Sequence, residues 1–115
     1  MRNTVKTLIA AAVLAGTALA ATAPAQAMVV RNCTGDVIRI NVYNNDDALR
    51  VVPKFGGTIG PGEARSAYSN APRSFIKVFR AQVIDRLMVE RGGIPDGSSI
   101  TILPGYRIGS GSNCR

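Results

Sequence analysis

Residues 37–43 read Val-Ile-Arg-Ile-Asn-Val-Tyr, and this stretch decides the fold. Three aliphatic residues alternate there with three polar or amphipathic ones: Ile38, Ile40 and Val42 with Arg39, Asn41 and Tyr43. Because successive side chains of a strand point to opposite faces, the pattern predicts a half-buried strand whose aliphatic residues line a core. The arginine, the asparagine and the tip of the tyrosine are predicted to face water.

Similar runs of β-branched and aromatic residues recur along the chain between clusters of Gly, Pro, Asn and Asp. Four turn-favouring residues, 44–47, predict a hairpin between 37–43 and a strand over 48–52. Residues 54–62 are rich in glycine and are predicted to be a connection. Further strands are predicted over 28–33, 63–69, 74–80, 99–103 and 106–108. The sequence therefore predicts an all-β domain, a single small antiparallel β-sandwich or barrel of about seven short strands.

The segment 81–91 fits two structures. Its apolar residues at 84, 87 and 88 fall at helical spacing, whereas those at 83, 87 and 89 lie on one face of a strand. No N-cap residue precedes Ala81, which favours continued β structure, with one short helix over 81–91 as the alternative. Gly92 and Gly93 are predicted to end the segment.

One pentapeptide pattern, Thr-Ile-x-Pro-Gly, occurs at 58–62 and again at 101–105. Proline followed by glycine suits the two central positions of a type II turn, because proline fixes its φ and glycine accepts a positive one. We therefore predict the same kind of turn at Pro61-Gly62 and at Pro104-Gly105.

Residues 1–27 have the three parts of a secretory signal, with the composition of a bacterial one. Arg2 and Lys6 precede an apolar run over 8–20, and Ala25-Gln26-Ala27 is a small-x-small cleavage site. A membrane anchor is the alternative, but the apolar run is shorter than the ~20 residues that a spanning helix needs. We predict cleavage after Ala27, one domain over 28–115, and a secreted or periplasmic location.

Cys33 and Cys114 are the two cysteines of the chain, and we predict that they form a disulfide. Disulfides persist in oxidising compartments, which agrees with the predicted export. Because the closed loop would span most of the mature chain, the loop-entropy model gives about 4 to 5 kcal/mol of stabilisation. Two unpaired thiols are the alternative, and mass measurement with and without reductant separates the two states.

The chain is basic, with 14 Lys and Arg against 7 Asp and Glu and a net charge of +7. Loss of Arg2 and Lys6 with the signal leaves twelve basic and seven acidic residues, a net charge of +5. The excess favours an anionic partner: an envelope polymer, a membrane surface or an extracellular protein. The basic residues are spread singly rather than in runs, which argues against specific nucleic-acid binding. Nothing in the sequence predicts an oligomeric state.

Histidine is absent from the chain. No Ser-His-Asp or Cys-His arrangement and no histidine metal site can therefore form, and oxidised cysteines supply no thiolate. We predict a protein that is not an enzyme and has no cofactor and no metal. Two alternatives remain, an enzyme that uses Asp85 and Glu90, and a calcium site at 44–47 joined by Asp96.

The predicted outward face of 37–43 is the candidate binding site. An arginine fork grips anions and an aromatic face stacks on ligands, so Arg39, Asn41 and Tyr43 form a candidate anion site. Basic residues on later predicted strands are candidates of the same kind: Lys77, Arg80 and Arg107. We predict a small exported binding protein with a basic surface. The alternative is a secreted protease inhibitor that presents a rigid loop, at 92–97 or at 53–62.

Overall fold

A computed structural model describes residues 27–114. The predicted signal peptide falls almost entirely outside these described residues and stays a prediction. The described part of the chain forms eight strands and no helix. The strands are β1 Met28–Asn32, β2 Ile38–Asn44, β3 Phe55–Ile59, β4 Ala64–Ala67, β5 Arg73–Arg80, β6 Arg86–Pro95, β7 Ser99–Leu103 and β8 Arg107–Ser110.

Two four-stranded sheets form the fold. Sheet A has the order β4-β1-β7-β8, and sheet B has the order β3-β2-β5-β6. This confirms the predicted β-sandwich, with eight strands in place of about seven. One pair differs from the antiparallel prediction, because β1 and β7 run parallel. Parallel neighbours need a long connection, and residues 33–98 provide it by forming all of sheet B and the edge strand β4.

The core lies between the two sheets, and β2 contributes its centre as the alternation predicts. Ile38, Ile40 and Val42 are completely buried. Alternating residues of the other strands point into the same space and complete the hydrophobic core. Burial of their apolar surface is the dominant favourable term of folding. The core residues of the other strands are Met28, Val30, Ile59, Ala67, Ile76, Val78, Ile94, Ile100 and Ile102, and Tyr106 joins them from the turn between β7 and β8.

The predicted strand over 48–52 is wrong. These residues lie in the loop between β2 and β3, where the side chain of Asp47 accepts hydrogen bonds from the backbone N–H groups of Leu49 and Arg50. Arg50 has a positive φ of 48°, which interrupts extended structure. Val51 and Val52 are 71% and 72% exposed, so their alternation serves no buried face.

The partner of β2 is instead β3, within the stretch predicted to be a connection. Its register sets Asn41 opposite Gly56 and Ile40 opposite Gly57. A Cβ on Gly57 would lie 2.6 Å from the Arg65 guanidinium, which donates to the carbonyl of Thr58. The pairing with β2 makes this stretch a strand, and it contains glycines where neighbouring side chains occupy the space that a Cβ would take.

The segment 81–91 contains no helix. Residues 81–85 form a loop in which Asp85 accepts a hydrogen bond from the backbone of Gln82, and β6 then begins at Arg86. The prediction that Gly92 and Gly93 end the segment is wrong, since β6 continues to Pro95. A Cβ on Gly92 would lie 3.0 Å from the ring of Phe75. Glycine at this position therefore lets the backbone of β6 lie close to the ring.

Both predicted proline-glycine turns are confirmed. Gly62 and Gly105 have φ values of 80° and 85°, and the residue after each glycine donates back across the turn. The last predicted strand is shifted. Tyr106 has a φ of 59° and belongs to its turn, so β8 begins one residue later, at Arg107.

The chain between β1 and β2 is organised by the buried side chain of Asn32. Its Nδ2 donates to the carbonyls of Asp36 at 2.7 Å and Ile59 at 2.9 Å, while its Oδ1 accepts from the N–H and hydroxyl of Thr34. This turn carries Cys33, whose disulfide with Cys114 is confirmed, with Cα atoms 5.3 Å apart across 81 positions of sequence.

Candidate functional site

The outer face of sheet B, the side turned away from the core, carries most of the predicted site. Alternation places Arg39, Asn41 and Tyr43 of β2 on this face. Lys77 of β5 lies directly opposite Asn41, and its Nζ is 5.3 Å from the centre of the Tyr43 ring. The structure thus brings four of the six predicted binding residues together.

The prediction that the tip of Tyr43 faces water is wrong, since Tyr43 is only 3% exposed. The ring of Phe75 packs against it edge to face with centroids 6.4 Å apart, Asn41 approaches its hydroxyl, and Lys77 lies over the ring. Tyr43 therefore cannot stack on a ligand. It supports the cation above it through the negative potential of its ring face.

Arg50 is a cation of this face that the sequence interpretation missed. Its guanidinium lies 3.9 Å from the centre of the Phe75 ring and donates to the carbonyl of Asn45. The prediction of a strand over 48–52 gave no reason to bring Arg50 here, and no motif signals it. We call the resulting row of two cations over two aromatic rings the cation–aromatic ladder; it consists of Arg50, Phe75, Tyr43 and Lys77.

Two carboxylates reduce the positive charge of the face. Arg39 donates to Asp85 at 2.8 Å, which ties the loop 81–85 to the face, and Glu90 lies opposite Lys77 in register. No ion pair found among residues 27–114 includes Lys77 or Arg50. Alternation also places Arg73 on this face. The face therefore carries four cations against two carboxylates and stays net positive; the cations are Arg39, Arg50, Arg73 and Lys77.

Two predicted site residues lie elsewhere. Arg80 is the last residue of β5, and alternation places it on the face of sheet B opposite to that of Lys77. Its Nε is 3.3 Å from Asp36 Oδ2, and its guanidinium is 5.6 Å from the centre of the Tyr106 ring. Tyr106 itself donates to Asp36, so this cluster links the sheets. The Tyr106 hydroxyl and the charge of Asp36 raise the pKa of Arg80, a group that is charged at any physiological pH. Arg107 belongs to β8 of sheet A.

The polar turn 44–47 uses its oxygens locally. Asn44 Oδ1 accepts from the backbone of Asp46, and Asn45 Oδ1 accepts from the N–H of Gly93. Within residues 27–114 there is no group of three or more His, Cys, Asp or Glu side chains that could hold a metal ion. Asp85 is engaged by Arg39 and lies in the loop before β6, whereas Glu90 lies within that strand.

A cavity of about 510 Å³ opens between the edge strands β6 and β8, and it is lined by 91–95, 98–100 and 108–110. Of these described lining residues only Arg91 is ionisable. On the opposite side of the sandwich, Arg65 and the paired rings of Phe55 and Tyr68 fill the gap between the edges. Of the two segments suggested as inhibitor loops, 92–97 lies in β6 up to Pro95, and 53–62 contains β3 between two short connections.

Comparisons of the chain with protein-family models, with curated proteins and with solved structures gave no match. The part of the chain that the structure describes contains no helix with the length and hydropathy that crossing a bilayer requires.

Proposed function

We propose that this protein is a small exported, non-catalytic binding protein whose outer face of sheet B attaches to an anionic component of the cell envelope. The observation that carries the proposal is the cation–aromatic ladder. Lys77 and Arg50 are each held over an aromatic ring, and neither forms an ion pair within the described residues. Such cations keep N–H donors for an external anion.

The aromatic rings preorganise these cations. A free Lys or Arg side chain loses up to about 2 kcal/mol of rotamer entropy when it is fixed, and contact with a ring restricts it before a ligand arrives. The sheet beneath is rigid, because Asn41 and Tyr43 belong to the central strand β2, which is paired on both sides. The arrangement therefore suits recognition of negative charge by a preformed surface.

Two further observations support an exported protein without catalysis. The Cys33–Cys114 disulfide is compatible with an oxidising compartment, and residues 1–27 have the composition of a secretory signal. The chain has no histidine, and Asp85 is held by an arginine. Histidine, the side chain that most often acts as a general base near neutral pH, is thus missing, and one of the two carboxylates considered for catalysis is engaged.

A charge reversal at Lys77 tests the proposal. Lys77→Glu should weaken binding of the oxidised protein to anionic envelope material by about thirtyfold, because each charge near an anionic surface contributes about 1 kcal/mol and the reversal replaces an attraction by a repulsion. Binding of the unchanged protein should fall steeply from low to high salt, since exposed charges are screened. Co-sedimentation at several salt concentrations measures both effects.

Arg107→Glu is the matched control, because it changes the net charge equally on sheet A. It should reduce binding much less than Lys77→Glu does. Equal losses from the two variants would mean that only net charge matters, and binding that is indifferent to salt would remove the anionic partner altogether.

A further inference from the structure

Exposed aliphatic side chains concentrate around the outer face of sheet B. The described residues expose eight large hydrophobic side chains, and six of them lie on this face or in the loops at its two ends. The six are Leu49, Val51 and Val52 before β3, Val83 and Ile84 before β6, and Leu87 on β6. Such a grouping of apolar surface marks an interaction site more often than scattered single residues do.

The loop 45–54 lies at the end of the face where β2 finishes. Leu49, Val51 and Val52 are 80%, 71% and 72% exposed, yet Arg50 between them is fixed on the Phe75 ring of the same face. The two neighbours of Arg50 are therefore held beside the cation–aromatic ladder rather than free in solution.

The loop 81–85 lies at the other end of the face, because β5 runs antiparallel to β2. Val83 is fully exposed and Ile84 is 81% exposed. Asp85 connects this loop to the face through Arg39, as described above. Leu87 follows on the face itself, opposite Phe79 in register and 47% exposed. Aliphatic groups thus border the basic face at both ends.

The combination of cations with bordering aliphatic groups distinguishes between anionic partners. A soluble or cell-wall polyanion satisfies the cations and leaves the aliphatic side chains in water. A bilayer surface offers negative headgroups and, just below them, hydrocarbon that accepts aliphatic side chains. A lipid surface therefore uses both chemistries of the face, whereas a polyanion without hydrocarbon uses one.

We propose that the outer face of sheet B docks on an anionic lipid surface, with the tips of loops 45–54 and 81–85 entering the boundary between headgroups and acyl chains. This inference rests on the proposed function of the same face and narrows its partner to lipid. Asp46 and Asp47 in the first loop oppose anionic lipid, and Lys54 in that loop offsets one of them. Because Arg50 is already counted on the face, the residues assigned to the face and its two loops comprise five cations and four carboxylates, a net charge of +1. The backbone engages Asp47.

Vesicle binding with and without the loop aliphatics tests the inference. The probes are vesicles of phosphatidylglycerol with phosphatidylcholine, vesicles of phosphatidylcholine alone, and immobilised dextran sulfate as an anionic polymer without hydrocarbon. The triple variant Leu49→Ser/Val51→Ser/Val52→Ser should lose about tenfold or more of its affinity for the anionic vesicles, since each buried aliphatic group adds to binding. Its retention on dextran sulfate should be unchanged.

Tyr68→Ser is the control, because Tyr68 is 45% exposed but follows β4 on the edge of sheet A. It should bind anionic vesicles as the unchanged protein does, and thermal melting checks that each variant folds. The chain has no tryptophan, so Val83→Trp gives a single reporter in the second loop. Its emission should shift to the blue with anionic vesicles and stay unshifted with dextran sulfate.

The outcomes separate the inference from the proposed function. If the triple variant binds vesicles normally and Val83→Trp shows no shift, while Lys77→Glu still loses binding, lipid docking is overturned and the anion-binding face stands. Binding to dextran sulfate without binding to vesicles also overturns lipid docking and makes a polymer the partner. A protein that binds neither probe overturns both proposals.

Discussion

Replacing Cys33 and Cys114 together by serine is expected to lower the free energy of unfolding by about 4 kcal/mol. The disulfide joins residues 81 positions apart, so the unfolded oxidised chain is restricted to a large closed loop. Removing that restriction raises the entropy of the unfolded chain. Small domains have a total stability of only about 5 to 15 kcal/mol, so the loss is a large fraction of the whole. Urea unfolding of both proteins measures it.

Reduction of the unchanged protein serves as the control for this prediction. Because Cys114 is exposed and Cys33 is half-buried, a reductant reaches the bond, and the reduced protein should match the double serine variant in unfolding midpoint. A difference below about 1 kcal/mol between oxidised protein and variant would show that the bond contributes little, and that noncovalent packing alone holds the fold.

Asn32→Ala is expected to cost about 3 kcal/mol of stability, because alanine leaves several buried groups without their partner. The side chain is completely buried, and its amide joins the turn after β1 to the carbonyls of Asp36 and Ile59. The Ile59 carbonyl and the N–H of Thr34 lose these hydrogen bonds, while the Asp36 carbonyl keeps a contact of 3.3 Å from the Thr34 hydroxyl. Each buried unsatisfied group costs about 1 to 3 kcal/mol. Chemical unfolding of the oxidised protein measures the effect.

Asn41→Ala is the matched control for this experiment. Asn41 is half-buried on the outer face, and its amide makes one long contact, 3.5 Å, to the Tyr43 hydroxyl. Its replacement should cost well under about 1 kcal/mol, since hydrogen bonds near water contribute little. Equal losses at the two positions would contradict a special role for the buried amide.

The architecture was predictable where alternation coincides with burial. Residues 38–42 alternate along the central strand β2, and every aliphatic residue among them is buried. The same rule failed at 48–52, because Asp47 bonds the loop backbone and no neighbouring strand pairs there. It also failed at Gly56-Gly57, because glycines give no alternation to recognise, and the pairing with β2 that makes this stretch a strand is seen only in the tertiary structure.

The candidate site was predictable in part for a similar reason. Period-two alternation placed Arg39, Asn41 and Tyr43 on one face, and the register of β5 then added Lys77. The burial of Tyr43 was not predictable, because it depends on Phe75 from a strand much further along the chain. Arg50 was missed because its position depends on a loop that folds back onto the sheet.

The parallel pairing of β1 with β7 has a consequence for the order of folding. β1 is the second strand of sheet A and needs β4 on one side and β7 on the other, yet β7 is synthesised only after all of sheet B. Contacts between residues so distant in sequence close slowly, because the chain loses entropy before any pairing compensates. Sheet B contains the hairpins β2–β3 and β5–β6 and should therefore form first. The pairing of β1 with β7 should form late, against a sheet B that is already folded.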